Sequence, residues 1–542
     1  MGVPRYFRGM FIRRKPNKSG SISVQVVAKT KERKQRVVKT IGSGNAEYEL
    51  LALEEKAQAY IDSLTGPLLP GLSATDNNLE AFLQNLHNNQ VQIIGPELIF
   101  GTLYDRIGYS ALNNEMFRHL VICRLYNPGS KLKTVEYLSN YLHVYYSVDK
   151  IYRFLDELCM RYGKKSRQGS PSCIAECQAQ PCEPDCLKEQ VEQITFTHTK
   201  QVVGGDIAVC FYDMTTLYFE AAEEDELRKY GFSKDGKHAC PQIFLGLLVA
   251  NGGNPIGYEI FEGNTAESKT MIPMIKKLSA KFGLGVPIVV ADSGLLTKTN
   301  MAELSREGYQ YILGARPKND SREVKEWILG QQFQDGGLAE MDRGNGVRLI
   351  VTCSAKRAHK DAHNRQRGLA RLEKSLGSGR LTKQNINNRG YNKYLKMDGN
   401  VTISIDMDKF NQDAAWDGLK GYLTNTTLSA AEVIDKYSNL WCIERAFRFN
   451  KSDLAVRPIY HRLRNRIEGH ICICFTAYAI LLELERILKK GKSKLSVYNA
   501  QQLTRNMYAL NCQLPQTKTQ KKIILGMSPQ QQELFNLIAP AT

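Results

Sequence analysis

The pattern of apolar and polar positions changes near Gly204, where a series of predicted strands begins. Three apolar stretches follow one another, IAVCFYDMTTLYF, PQIFLGLLVA and NPIGYEIFEG. The turn sequence Asn251-Gly252-Gly253-Asn254 separates the last two, which predicts a meander of antiparallel strands. A helical pattern from about Ala266 to Phe282, the apolar strand VPIVVAD, a helix ending at Glu307 and the strand YQYILGA follow. We therefore predict an α/β core with the order β, β, β, α, β, α, β.

The patterns on either side of this core predict further regions. We divide the chain into six regions. These are 1–90, a basic N-terminal β unit (SISVQVV) and helix; 91–200, short amphipathic helices with a Cys-rich loop at 165–190; 201–318, the first part of the core; 319–420, an insertion with strands VRLIVTC and VTISIDM; 421–490, the second part of the core, entered through the strand GLKGYLTN; and 491–542, a C-terminal tail. The helices of 91–200 break at Asn127-Pro128-Gly129 and carry several basic residues, including Lys131 and Lys133. This pattern is compatible with a helix-turn-helix DNA reader and equally with a plain helical bundle.

The charge balance favours a polyanionic partner. The 542 residues include 73 lysines and arginines against 55 acids, which gives a net charge of +18 and a pI near 9.2. The first forty residues hold twelve of these cations against Glu32 alone, so we expect the partner-facing surface to begin there. A hydrophobic fraction of 42% is enough to bury a core, and the length suits about three domains or one large core with insertions.

We expect a soluble, cytoplasmic and nucleoid-associated protein. No apolar segment of the signal-peptide type follows Met1. The longest uncharged apolar run, ICICFTAYAILL, is shorter than a bilayer span and predicts a buried helix. Most of the thirteen cysteines lie singly or in pairs within apolar runs, which suits reduced thiols in a cytosol better than a disulfide framework.

Two acids occupy strand positions where a carboxylate is costly. Asp213 lies within the first predicted strand, between Tyr212 and Met214, and Asp292 ends the strand PIVVAD. A buried carboxylate needs a cation or hydrogen bonds to compensate its desolvation. In a ribonuclease-H-like mixed sheet with this element order, the first and fourth strands lie side by side, so both acids would converge at one edge and hold Mg²⁺ or Mn²⁺ through oxygen ligands. The alternative for each acid taken singly is a turn-capping role.

The stretch YSNLWCIERAFRFNK, residues 437–451, predicts a helix with one distinctive face. That face contains Tyr437, Leu440, Trp441, Glu444, Arg448 and Lys451. If the helix packs at the same sheet edge, Glu444 becomes a third acid and its basic neighbours become ligands of a DNA phosphate. The alternative is a solvated helical face with one Glu444–Arg448 pair, worth a few tenths of a kcal/mol.

These motifs resemble those of a known protein family. YDMTTLYFE, VVADSGL and the spacing of Tyr437, Glu444 and Lys451 are similar to the DDE transposases of bacterial insertion sequences, in the group marked by Tyr, two residues, Arg, three residues, Glu, six residues and Lys. The resemblance extends from about Gly204 to Ile480 and more loosely into the basic N-terminal segment. Leu440 stands where the signature has Arg, so the missing charge is expected from Arg445 or Arg448 instead.

The resemblance implies a fold, a site and an activity. It implies a ribonuclease-H-like core with a β-rich insertion between the second and third acids, and two Mg²⁺ or Mn²⁺ ions held by the catalytic residues Asp213, Asp292 and Glu444. It implies DNA contacts from a set of basic and aromatic residues: Tyr437, Arg445, Arg448 and Lys451. It further implies that a homodimer binds terminal inverted repeats in double-stranded DNA and catalyses strand cleavage and strand transfer.

Three other signals have both a functional and a structural interpretation. Lys234 and Lys237 flank Gly236 in a predicted loop, where they either contact phosphate or are simply exposed. The residues from Asn264 to Glu267 predict a helix N-cap in which the Glu reaches back. Four cysteines have the spacing C-x3-C-x4-C-x3-C and form either a small zinc knuckle or an accessory loop without metal: Cys173, Cys177, Cys182 and Cys186.

Two other functions fit the same residues. A metal-dependent nuclease would use the three acids for hydrolysis alone, and strand transfer distinguishes it from a transposase. A DNA-binding regulator would lack catalysis, and the presence of all three acids argues against it.

Overall fold

The computed structural model describes residues 10–29, 34–65, 79–80, 82–160, 186–220, 223–233, 236, 239–295, 297–379, 381–387, 390–398, 402–449, 451, 454, 456–457, 459–514 and 519–539. The chain forms two compact units. The first contains Met1–Gln92 and Ala509–Leu525, and the second contains Ile93–Tyr508 and Gly526–Thr542.

The described strands and helices are numbered in chain order. The strands are β1 (Met10–Pro16), β2 (Ile22–Lys29), β3 (Gln35–Gly44), β4 (Val91–Ile93), β5 (Val209–Tyr218), β6 (Gln242–Val249), β7 (Pro255–Glu262), β8 (Ile288–Ala291), β9 (Tyr311–Ala315), β10 (Leu338–Asp342), β11 (Arg348–Cys353), β12 (Leu395–Asp398), β13 (Thr402–Ile405), β14 (Leu419–Thr424), β15 (Tyr508–Gln513) and β16 (Gln520–Ile524). The helices are α1 (Glu47–Thr65), α2 (Thr102–Ile107), α3 (Glu115–Tyr126), α4 (Lys131–Tyr137), α5 (Val148–Leu158), α6 (Leu187–Val202), α7 (Met271–Phe282), α8 (Lys298–Arg306), α9 (Arg322–Gly330), α10 (Ala355–Gly377), α11 (Met407–Ala414), α12 (Ala430–Ser438), α13 (Trp441–Arg448), α14 (Arg464–Lys490), α15 (Val497–Thr504) and α16 (Pro529–Ile538).

The first unit contains the N-terminal β unit and helix that the sequence predicts. Strands β1, β2 and β3 form an antiparallel sheet in that order. Alternation in SISVQVV places Val24 and Val26 on one face of β2, and both pack against Leu50 and Ala57 of α1. In the same unit β15 lies between β16 and β4 in a second small sheet.

The second unit is built on a mixed sheet of eight strands in the order β10-β11-β14-β9-β8-β5-β6-β7. Strands β5, β8 and β9 are parallel, and the other neighbouring pairs are antiparallel. The predicted order is confirmed as β5, β6, β7, α7, β8, α8 and β9. Alternate strand residues face different hydrophobic clusters, because Phe211 and Val290 lie in one cluster and Tyr212 and Ala291 in the other. The sheet is therefore covered on both faces.

Helix α14 fills much of the larger cluster. The apolar run ICICFTAYAILL lies within α14 and is buried, as predicted. None of the helices that the structure describes is both long and apolar enough to cross a membrane.

The segment predicted as an insertion, 319–420, has two structural parts. Strands β10 and β11 extend the main sheet through β14. The hairpin of β12 and β13 forms a separate small cluster with α10 and α11, around Leu369, Tyr394 and Phe410.

The prediction of a single helix over 437–451 is wrong. Helix α12 ends at Ser438, and α13 begins at Trp441. The Asn439 side-chain amide donates to the Asp435 carbonyl at 3.1 Å, and the Leu440 amide donates to the Tyr437 carbonyl at 3.0 Å. These contacts satisfy carbonyls at the end of α12 while the chain turns. The predicted stripe therefore spans two helices.

Candidate active site

Asp213 and Asp292 lie side by side at the centre of the main sheet. Strands β5 and β8 pair in parallel with Tyr212 opposite Ala291. Asp213 is the next residue of β5, and Asp292 directly follows the end of β8. Neighbouring strands lie about 4.8 Å apart. Asp213 is half-buried and Asp292 is exposed. The predicted adjacency of the first and fourth strands is confirmed, and it gives the site two neighbouring carboxylates.

Tyr437 on α12 binds directly to one of these acids. Its hydroxyl donates to Oδ1 of Asp292 at 3.1 Å, and only 5% of the residue is exposed. Burial raises the pKa of Tyr437 well above its ordinary value, with a further contribution from the Asp292 charge. The phenol therefore remains a proton donor at neutral pH. Tyr437 thus lies in the core as the partner of a carboxylate, and its predicted DNA contact stays untested.

A glycine on β9 makes room for this contact. A Cβ atom on Gly314 would collide with the Tyr437 hydroxyl and would lie 2.9 Å from the backbone nitrogen of Ser293. The Tyr437 ring also packs edge-on against Tyr422 of β14, with ring centres 4.9 Å apart. The position of Tyr437 is thus fixed from two neighbouring strands.

Lys420 on β14 is a site residue that the sequence analysis missed. Its Nζ lies 4.4 Å from the centre of the Tyr437 ring. Burial is the main cause that lowers the pKa of Lys420, Arg357 lowers it further, and the charges of Asp292 and Glu444 oppose both effects. Alternation along GLKGYLTN offered a weak signal, because it puts Lys420 on the same face as Tyr422.

Glu444 is carried by α13, which packs against β5. The side chain is exposed, and its charge acts on both Tyr437 and Lys420, as the charge of Asp292 does. The structure therefore brings Glu444 into the electrostatic environment of Asp292.

Arg445 fixes α13 to the rest of the unit. Its guanidinium pairs with Glu485 of α14 at 2.8 Å and donates to the Gly252 carbonyl at 3.1 Å. It also lies 4.9 Å from the centre of the Trp441 ring. Arg445 is largely buried and holds the helix that carries Glu444. Its predicted contact with DNA stays untested.

The hairpin turn between β6 and β7 receives this helix. The predicted turn is confirmed, with positive φ at Gly252 (74°) and Gly253 (87°), a conformation that glycine adopts at little cost. Tyr478 of α14 donates to the Gly253 carbonyl at 2.8 Å. The turn thus connects the sheet to both α13 and α14.

The remaining predicted site residues are dispersed or lie outside the described residues. Arg448 is exposed in the last turn of α13, and Lys451 is half-buried beyond it. Lys234, Lys237, Cys173, Cys177 and Cys182 lie outside the described residues. Cys186 is a buried free thiol at the start of α6, and burial raises its pKa. The zinc prediction stays untested.

The prediction of a helix N-cap at 264–267 is wrong. Neither Ala266, before the short turn 267–269, nor Thr270, before α7, provides a side-chain cap. The Glu267 carboxylate instead lies 3.4 Å from the position of a Cβ on Gly294, two residues after Asp292. Tertiary packing thus brings Glu267, an additional acid, near the segment that follows Asp292.

The donor chemistry of the site fits a hard divalent cation. Carboxylate oxygens are preferred ligands of Mg²⁺ and Mn²⁺, and Asp213 and Asp292 present them from adjacent strands. In the part of the chain that the structure describes, no three His, Cys, Asp or Glu side chains form a group that could hold an ion. Glu444 is therefore not part of a preformed cluster.

Comparison with known proteins identifies the family. A family model described as a transposase DDE domain matches residues 205–480, just over half of the chain, so the chain belongs to the DDE-domain transposase family. The matched range includes Asp213, Asp292 and Glu444. No curated protein matches the sequence significantly. Among solved structures, the cryo-EM structure of the piggyBac transposase synaptic complex with hairpin DNA is similar at 11% identity and a TM-score of 0.34, over 76% of this chain and 79% of that chain.

Proposed function

We propose that the protein is the transposase of a bacterial insertion sequence, which binds terminal inverted repeats, cleaves DNA at the element ends and transfers those ends to target DNA. The observation that carries the proposal is the adjacency of Asp213 and Asp292, with Tyr437 bound to Asp292 and Glu444 on the helix beside them. The spacing of Tyr437, Glu444 and Lys451 supports the Tyr-Arg-Glu-Lys group, with Leu440 as the departure from its signature.

We also propose that the core is ribonuclease-H-like. The strand order β7-β6-β5-β8-β9, with β5, β8 and β9 parallel, supports this fold because it places the first and fourth strands together. On this proposal, 201–318 and 421–490 form the catalytic core, and 319–420 is inserted between its second and third acids.

The metal ligands on this proposal are Asp213, Asp292 and Glu444. These residues would hold two Mg²⁺ or Mn²⁺ ions, which when bound would activate a water or a DNA 3′-hydroxyl and stabilise the leaving oxygen. Because Glu444 is exposed on α13, its side chain has room to turn towards the other two acids.

The other residues of the site position these acids and the DNA. The Tyr437 hydroxyl holds Asp292 in one orientation through its hydrogen bond. The Lys420 ammonium is attracted by both Asp292 and Glu444, and so reduces the repulsion between them. Arg448 and Lys451 are proposed to neutralise the reacting phosphate next to Glu444.

The remaining regions are proposed to bind DNA and to assemble the complex. The basic sheet of the first unit and the helices of 91–160 hold the inverted repeats, and two copies of the chain pair on DNA. The site of action is the nucleoid in the cytoplasm.

The test is cleavage of element-end DNA by single alanine variants. Asp213→Ala, Asp292→Ala and Glu444→Ala should each abolish Mg²⁺-dependent cleavage while leaving end binding intact, because each removes a ligand but no phosphate contact. Glu323→Ala, at an exposed acid of α9, is the matched control and should cleave normally.

The outcomes also separate the alternatives. Near-normal cleavage by one of the three variants removes that residue from the triad. Cleavage without joined products indicates a nuclease, and end binding without cleavage by the wild type indicates a regulator.

A further inference from the structure

A second, basic cavity lies apart from the three acids. Its volume is about 440 Å³, within the range of cavities that bind small ligands. The walls come from the turn between α3 and α4, from α5, from the segment before α14 and from α14 itself. Asp213, Asp292 and Glu444 do not line it, so the cavity is not part of the site described above.

Two buried basic side chains lie in its wall. Arg124 is 6% exposed and Lys131 is 5% exposed. Among the described residues, Arg124 donates to the carbonyl oxygens of Leu454 and Gly129, each at 3.4 Å. The Lys131 ammonium makes no hydrogen bond or ion pair with any residue that the structure describes. A buried cation without a counter-charge is costly, and here two lie together.

The described residues supply no negative charge to the wall. None of the described residues that line the cavity is Asp or Glu. Burial, then the Arg124 charge, lowers the pKa of Lys131 to about 7. Asp156, whose charge acts on His461, is held by Arg466 at 2.8 Å. An anion that entered the cavity would meet both basic side chains, and its charge would favour the protonated form of Lys131.

The mouth of the cavity adds further positive charge and an aromatic surface. Lys133 is exposed, Arg457 is half-exposed and Tyr460 is 71% exposed. The two histidines of the wall contribute no charge near neutral pH, because burial lowers the pKa of His461 to about 3 and that of His470 well below its ordinary value.

The cavity connects to the strand that carries Asp213. Arg457 lies 5.8 Å from the ring centre of Tyr218, the last residue of β5, and the Ile459 amide donates to the Tyr218 carbonyl at 3.5 Å. Asp213 and Tyr218 are five residue steps apart along β5, about 17 Å at 3.3 Å for each step. The same length corresponds to about five base-pair steps along the axis of B-DNA, at 3.4 Å for each.

We propose that the cavity binds one phosphate of the DNA strand that passes the three acids, with Arg124 and Lys131 as its ligands. Guanidinium and ammonium groups bind phosphate oxygens through charge-assisted hydrogen bonds. The identity of the polymer rests on the proposed function, whereas the binding of a phosphate rests on the cavity alone.

The test compares Lys131→Met with wild type on end DNA in which single phosphates are replaced by uncharged methylphosphonates. In the wild type, one position outside the cleavage point should weaken binding roughly tenfold to a hundredfold. Lys131→Met should bind unmodified DNA more weakly by a similar factor and should lose sensitivity at that position alone. Lys490→Met, at an exposed lysine of α14, should behave as wild type.

Thermal unfolding provides a second readout. Because Lys131 is a buried charge beside Arg124, Lys131→Met should keep or raise Tm if its role is binding, and a strongly lowered Tm would overturn the proposal. Arg124→Gln should repeat the loss of sensitivity at the same phosphate. An unchanged methylphosphonate profile in both variants would also overturn it.

Inorganic phosphate and a mononucleotide distinguish the sources of the anion. If either ligand raises Tm in wild type but not in Lys131→Met, and no single phosphate of DNA matters, the cavity binds a free phosphate compound and the DNA assignment is wrong. A Lys131-dependent rise in Tm in a protein that binds no DNA would refute the proposed function and leave the anion site standing.

Discussion

The hydroxyl group of Tyr437 links helix α12 to Asp292, at the end of β8. The hydroxyl donates to Asp292 and fits against β9 only because position 314 is glycine. The ring contacts Tyr422 and the Lys420 ammonium. The ring therefore contributes packing, and the hydroxyl orients a carboxylate.

Tyr437→Phe separates these two contributions, because it keeps the ring and removes the hydrogen bond to Asp292. A hydrogen bond to a charged group is worth about 1.5–3 kcal/mol. We expect single-turnover cleavage to fall about tenfold while end binding changes little. Tyr498→Phe, at an exposed tyrosine of α15, is the control. Wild-type cleavage by Tyr437→Phe would show that the hydroxyl does not orient Asp292.

At the scale of elements, the break between α12 and α13 decides the environment of Leu440. Leu440 is 8% exposed and belongs to the larger hydrophobic cluster. Leu440→Arg restores the family signature but puts a charge into that cluster. We expect a loss of about 2–4 kcal/mol in the free energy of unfolding, measured by urea denaturation, and no gain in cleavage.

Leu440→Met is the matched control, since a volume-conserving exchange costs less than about 1.5 kcal/mol. If Leu440→Arg were as stable as wild type and cleaved faster, position 440 would face DNA in the active complex.

The elements differ in how far the sequence determines them. Strands β5 to β9 were predictable, because apolar runs and the turn at 251–254 are local signals. The break at 439–440 was not, because the helical spacing of polar residues continues across it. Lys420 was missed because its partners, Asp292 and Tyr437, are brought to it by β14 and α12. The acids were predictable individually, but their assembly depends on long-range packing.

At the scale of the molecule, positive charge is the feature that composition alone revealed. The first forty residues have a net charge of +11, from twelve cations and one acid. The structure shows that these charges are not equivalent. Arg14 pairs with Glu47 and Glu54 of α1 at 2.8 and 2.6 Å, whereas Lys15, Lys18 and Arg36 are exposed. The exposed set is therefore the better candidate for DNA contact.

The salt dependence of DNA binding tests this set directly. Each phosphate contact contributes about 0.9 to the slope of log K against log salt concentration. Replacing Lys15, Lys18 and Arg36 by Gln should weaken end binding and reduce the slope by up to about 2.7, because fewer counterions are released. The matched control replaces three exposed lysines of the second unit, Lys490, Lys492 and Lys494, and should leave the slope nearly unchanged. Equal reductions in both variants would mean that DNA responds to net charge alone. An unchanged slope in the first variant would place the binding surface outside the N-terminal sheet.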